Sequence, residues 1–239
     1  MLKTLQNAFK IKEVREKLLY TFFMLVVTRI GSQLPIPGVN TTFFQELFTR
    51  QSNDAFGFFN TITGGSFTNM SVFALSITPY ITSSIIMQLL TIAIPKLEEM
   101  QQEGEDGRKK IAEYTRYLTV ALALMQSVAM AIGFGGKGLL VEFTALNVIV
   151  AIVTMTAGSA MLMWIGERIT ENGVGNGISI VLLFNIISTM PSDMITLYER
   201  FLQGKIVAVA VVTAVIIVAV IVAMVVFVII LQDAERRIR

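Results

Sequence analysis

The chain contains no cysteine and no histidine. Their joint absence excludes disulfides, thiolate nucleophiles, imidazole metal ligands and the imidazole general base, and with them most hydrolase and redox chemistry. No metal site or cofactor is expected. Charge is scarce as well: charged residues make up 15% of the chain, against roughly 25% in an ordinary soluble domain. Asp54, Asp106, Asp193 and Asp233 all lie outside the apolar stretches, so no carboxylate dyad is placed in the membrane. A net charge of +2 is too small to mark nucleic acid as a partner. What is present in excess is hydrocarbon, with 54% hydrophobic residues. That is the composition of an integral membrane protein.

The apolar residues gather into six stretches at about 18–37, 72–94, 117–134, 145–165, 177–190 and 206–231. Each approaches the ~20 residues that an α-helix needs to cross the hydrocarbon core. The expected fold is therefore all-α, a polytopic transmembrane helix bundle of six spans. The first stretch ends at Pro35-Ile36-Pro37-Gly38, where proline removes backbone donors and glycine permits a reversal. The fifth follows the turn-forming run Asn172-Gly173-Val174-Gly175-Asn176-Gly177, and the sixth has Thr213 as its only polar member. Residues 1–17 read as a basic cytoplasmic segment, 18–190 as a five-span unit, and 191–239 as the sixth span with the start of the following loop. The first seventeen residues carry Lys3, Lys10, Lys12, Arg15 and Lys17 without a cleavable site, so no signal peptide is expected.

Loop charge sets the expected orientation. With the N-terminus inside, fourteen basic residues fall on the cytoplasmic side, and only Arg50, Lys137, Arg200 and Lys205 fall outside. The positive-inside rule then puts both termini in the cytoplasm. The outer connection of about 38–71 is rich in phenylalanine and carries Gly64-Gly65. Being more apolar than a loop in water, it is expected to fold back into the protein.

The second stretch is unlike a plain lipid anchor. It carries Ser71, Ser76, Thr78, Thr82, Ser83, Ser84 and Gln88, polar groups that hydrocarbon does not stabilise, and reads as a wall of a path through the membrane. Arg29 in the first stretch is expected to snorkel to the headgroups, with pairing inside the bundle as the alternative. Gln126, midway along the third, reads as a helix–helix hydrogen-bond point with Thr82 as its natural partner. Three lookalike motifs take plainer readings. Gly158-Ser159-Ala160 lacks the base that a serine protease needs and is read as a helix-packing position. The runs Gly133 to Gly138 and Gly173 to Gly177 are read as turns, since neither has the strand or Ser/Thr of a nucleotide-binding loop.

Several ordered motifs together resemble one family. They are Ile30-Gly31-Ser32, Pro35-Ile36-Pro37-Gly38, Phe59-Asn60 with Gly64-Gly65, and the run Phe73 to Ile81. Further on come Gln88-Leu89-Leu90, Glu103-Gly104-Glu105, Gly107-Arg108, Tyr114-Thr115-Arg116-Tyr117, Leu162 to Glu167 and Gly175-Asn176-Gly177-Ile178-Ser179. From about residue 10 to 237 the chain resembles bacterial SecY, the central subunit of the protein-conducting channel. The resemblance implies an hourglass pore closed by a ring of bulky apolar residues, carried onto Ile77, Ile81, Leu182 and Ile186. It implies a displaceable plug over Gly64, Gly65, Ser66, Phe67, Thr68, Asn69, Met70, Ser71 and Val72, expected to be a short helix that buries little area. Thr82 and Gln126 resemble two members of a polar cluster at the lateral gate.

The family pattern also implies ten spans in two halves of five, so this chain corresponds to the N-terminal half and one further span. The implied function is non-enzymatic: unfolded secretory chains cross the bacterial cytoplasmic (inner) membrane, and hydrophobic segments exit sideways into lipid. The implied partners are SecE, SecG, the motor SecA, the ribosome, signal sequences and secretory precursors, with membrane lipid around them. Two alternatives stand beside this reading. One is an inactive or scaffold fragment that needs a second polypeptide for spans seven to ten. The other is a small-solute secondary transporter, disfavoured because the spans hold no Asp, Glu or Lys for a coupling ion.

Overall fold

The structure is a computed structural model, and it describes residues 11–50, 54–199 and 207–233. Among the described residues the regular elements are helices: α1 Lys12–Gln33, α2 Thr41–Arg50, α3 Asp54–Ile62, α4 Thr78–Ala93, α5 Pro95–Gln102, α6 Glu105–Phe134, α7 Ala145–Asn172, α8 Gly177–Leu197 and α9 Val207–Asp233. Local chemistry explains most boundaries. α1 stops at Gln33 because Leu34 precedes Pro35 and is driven to extended backbone, φ −81° and ψ 109°. Ile94 is extended for the same reason before Pro95, so α4 and α5 meet at a bend of 102°. α8 begins where the Asn176 side-chain oxygen accepts bonds from the Ile178 and Ser179 amides at 3.1 and 3.4 Å. These are the donors that a helix start leaves without partners.

Two compact units divide within α8, one up to Thr189 and one from Met190. In the first, α6 packs on both α4 and α7, and α1 lies on α7. One apolar cluster joins Ile36, Phe67, Met70 and Leu75 to Ala123 and Met130 of α6 and to Ala151 and Met155 of α7. A second joins Phe73 and Ile77 to Leu162, Ile165 and Ile169 of α7 and to Val181 of α8. In the second unit α9 is apolar on every side, the pattern of a helix that needs lipid or protein all around it.

The membrane reading holds at the level of class, and length and composition of the described helices support three or four of the six expected spans. By length and composition α6, α7 and the Gly177–Thr196 part of α8 can each cross a bilayer, and the bent pair α4 and α5 would make a fourth crossing. α1 is long enough but carries Glu13, Arg15, Glu16, Lys17 and Arg29. The uninterrupted apolar part of α9 runs Val215–Leu231. The second stretch is also shorter than expected, because residues 72–77 form turns and the helix starts at Thr78.

Small residues set the closest approaches, as expected for Gly158-Ser159-Ala160. A Cβ on Gly158 would lie 1.9 Å from the Val72 carbonyl oxygen, so only glycine lets α7 meet the 71–77 turns. Neighbouring Ser159 is buried, and its hydroxyl donates to the Ser76 carbonyl at 3.2 Å. Both glycine-rich runs form turns: residues 173–175 are bends before α8, and Gly135–Leu139 makes one wide turn with Gly138 at φ +108°.

Candidate functional site

Ile77 ends the turn run and caps α4, its carbonyl accepting from the Ile81 amide at 3.2 Å. That bond stacks the two isoleucines one turn apart on one face. Ile77 is fully buried, and the half-buried Ile81 and Leu182 pack on the same cluster. Ile186 is one turn further along α8, half-buried and outside that cluster. The structure thus gathers three of the four expected ring positions. On the other side Ile81 lines an open cleft of about 460 Å³ with Tyr80, Ser84, Ile85 and Ile178. Its polar rim includes Arg116 and Glu167, which pair at 2.8 Å across α6 and α7.

The 64–72 segment departs from expectation in two ways. It consists of turns rather than a helix, and it is not lightly buried: Ser66, Phe67, Met70 and Ser71 are all 6% exposed or less. Gly64 and Gly65, at φ +65° and +81°, allow the chain to reverse after α3. Beyond the reversal it pairs with the proline-interrupted stretch after α1. The Ile36 amide donates to the Met70 carbonyl at 3.0 Å and the Val72 amide to the Leu34 carbonyl at 2.9 Å. Residues 34–40 lie outside any helix, so their backbone is satisfied by the buried turns at residues 34–36 and by residues 139–141 at residues 38–40, where the Asn40 amide donates to the Leu139 carbonyl at 2.7 Å. The 63–71 part of the connection expected outside therefore folds back into the protein.

The polar positions are rearranged relative to expectation. Thr82 donates to the Thr78 carbonyl of its own helix at 3.1 Å, and no hydrogen bond joins it to the half-buried Gln126. The α4–α6 contact is made one residue later, by Ser83 and Thr119 at 2.5 Å, and Ser127 bridges α6 to Thr156 of α7 at 2.9 Å. Arg29 does not snorkel: its guanidinium donates to the Gly64 carbonyl at 2.8 Å. Buried Asn185 went unnoticed in the sequence. Its amide reaches the Ser76 hydroxyl at 3.4 Å, and its Cα lies 3.1 Å from where a Gly64 Cβ would be. The test that singled out Gln126, an amide inside an apolar span, would have found it.

A buried apolar cluster shared by α4, α7 and α8, beside a turn segment seated among apolar helices, defines a class: a polytopic membrane protein. A family model described as SecY matches residues 71–239. The chain is 43% identical over 206 residues to the protein translocase subunit SecY of Halalkalibacterium halodurans, covering 85% of this chain and 47% of that protein. It is 40% identical over 228 residues to the SecY of Pseudomonas aeruginosa, covering 95% and 51%. With the SecY of Aquifex aeolicus it shares 39% over 245 residues, covering 100% and 56%. The chain belongs to the SecY family.

The chain spans about half the length of the curated relatives it matches. Two solved structures share the fold. One, described as the structure of a protein conducting channel, gives a TM-score of 0.50 at 22% identity, covering 84% of this chain and 43% of the other. The second, Sec61 in a canine ribosome-channel complex from the endoplasmic reticulum, gives 0.53 at 20%, covering 98% and 53%.

Proposed function

We propose that this chain forms one wall of a protein-conducting channel in the bacterial cytoplasmic membrane, with its N-terminus in the cytoplasm. The observation that carries the reading is the convergence of Ile77, Ile81 and Leu182 on one apolar cluster directly after the 64–72 turns. A narrow aliphatic constriction dewets and so blocks ions at rest. It still yields to a polypeptide, because aliphatic side chains make no directional bonds. In this reading Ile186 completes the chain's share of the ring, the 64–72 segment is the plug, and Thr82 and Gln126 face the exit to lipid. In this reading the chain crosses the membrane six times, with α1 and α9 adding to the crossings made by α4–α5, α6, α7 and α8. The conduit does no chemistry; SecA or the ribosome supplies the drive, and SecE and SecG are the membrane neighbours.

The same logic specifies the test. Ile81→Asn places a wetting side chain at the constriction, and the complex carrying it is compared with wild type for resting conductance in planar bilayers and for export of a precursor with a defective signal. Both are expected to rise. Unchanged conductance together with unchanged export would mean that Ile81 only packs.

A further inference from the structure

Arg29 is a cation inside α1, half-buried, and among the described residues it makes no ion pair. Its partner is the Gly64 carbonyl at 2.8 Å, thirty-five residues away in sequence. Among the described residues no backbone amide donates to that carbonyl, so each group is the other's answer. Holding a guanidinium in a membrane bundle without a carboxylate is costly. A neutral donor could satisfy one carbonyl at lower cost. What the charge adds is a charge-assisted bond, stronger than a neutral one.

The position of that bond matters. Gly64 is the first residue of the reversal, against Asn185 of α8. The far end of the segment is held separately, by the pairing of Met70 and Val72 with residues 34–36, and the turns that follow it are held at Ser76 by Ser159 and Asn185. Met70 and Ser76 adopt φ +43° and +53° without being glycine, backbone that persists only where the surroundings impose it. The segment is therefore restrained at several points against its own local preference, and the bond at its leading end is the one made by a charged side chain.

We propose that Arg29 is a positioning residue that latches the leading end of the 64–72 segment, and that by doing so it sets how readily the path opens to weakly matched precursors. The second half of this statement rests on the channel reading above; the first does not. The native chain has no cysteine, so Ser66→Cys supplies a single thiol at a site 2% exposed, whose labelling rate by a small maleimide reports release of the segment. Val181→Cys, fully buried in the other cluster, reports general loosening.

In intact membranes, Arg29→Gln is expected to speed labelling at Ser66→Cys about tenfold, a factor equivalent to ~1.4 kcal/mol of lost restraint. Labelling at Val181→Cys should stay as in the parent, and Arg29→Lys, which keeps a cationic donor, should return the Ser66→Cys rate to within about threefold of the parent. No acceleration at Ser66→Cys, equal acceleration at both thiols, or no recovery with lysine would each overturn the latch. Resting conductance of Arg29→Gln then separates the two readings. If labelling accelerates and conductance stays at the parent level, the latch stands and the segment is not a plug.

Discussion

Replacing Gly158 by alanine adds one methyl group where the structure has no room for it. The new Cβ would sit 1.9 Å from the oxygen and 2.8 Å from the carbon of the Val72 carbonyl, backbone atoms that cannot rotate aside. Relief requires α7 and the 71–77 turns to part by more than 1 Å. That movement strains the Ser159 to Ser76 bond at 3.2 Å and the Val72 to Leu34 bond at 2.9 Å. Overpacking of this kind costs ~1–3 kcal/mol, and each buried hydrogen bond lost adds about 1. The gain of up to ~1 kcal/mol in helix propensity does not cancel this.

The net expectation is a loss of about 2–4 kcal/mol, or roughly 5–15 °C in Tm for a chain of this size. Thermal unfolding of the purified chain in detergent, followed by circular dichroism, measures it. Gly133→Ala serves as the opposite case. It lies near the end of α6 with nothing within 4 Å of its Cβ position, and should be neutral or slightly stabilising. A Gly158→Ala chain as stable as wild type would refute the close-approach argument.

Two further outcomes follow from the same packing. The Ser83–Thr119 hydroxyl pair should be worth only about 0.6 kcal/mol in a double-mutant cycle with Ser83→Ala and Thr119→Ala, since interhelical bonds in membranes compete with partners in the unfolded state; a coupling above ~2 kcal/mol would contradict that estimate. For topology, single thiols at Thr61→Cys and Gln102→Cys should be labelled from opposite faces of the membrane, Thr61→Cys from outside, and labelling from one common side would refute the orientation drawn from loop charge.

The helical class, the membrane setting and the packing role of Gly158 were legible because each depends on local pattern: apolar run length, turn residues, and a small side chain without a catalytic base. What the sequence concealed was set by distant partners. Residues 72–77 are as apolar as the helix after them. They stay in turns because Ser159 and Asn185 hold Ser76 from 83 and 109 positions away. Arg29 looked free to snorkel because its acceptor is a backbone carbonyl, which composition does not reveal. Thr82 was chosen over Ser83 for the α6 contact, and a one-residue step rotates a helix by about 100°, enough to turn the choice away from its partner. The burial of 64–72 was misjudged because its small, polar composition hides Phe67 and Met70, the two side chains that anchor it in the first cluster.

The central claim is that Ile81 faces a polypeptide path, unlike the exposed apolar side chains on the outside of the bundle. Ile149 and Val153 of α7 are 60% and 58% exposed, lie on the face away from buried Ala151 and Met155, and provide the lipid-side comparison. A photo-crosslinking amino acid placed singly at Ile81, Ile149 or Val153, with a secretory precursor stalled in transit through membranes that carry the chain, reads the two environments directly. The account predicts strong crosslinks to the precursor from position 81 and few from 149 or 153. Crosslinks from 149 and 153 equal to those from 81, or none from 81, would contradict it.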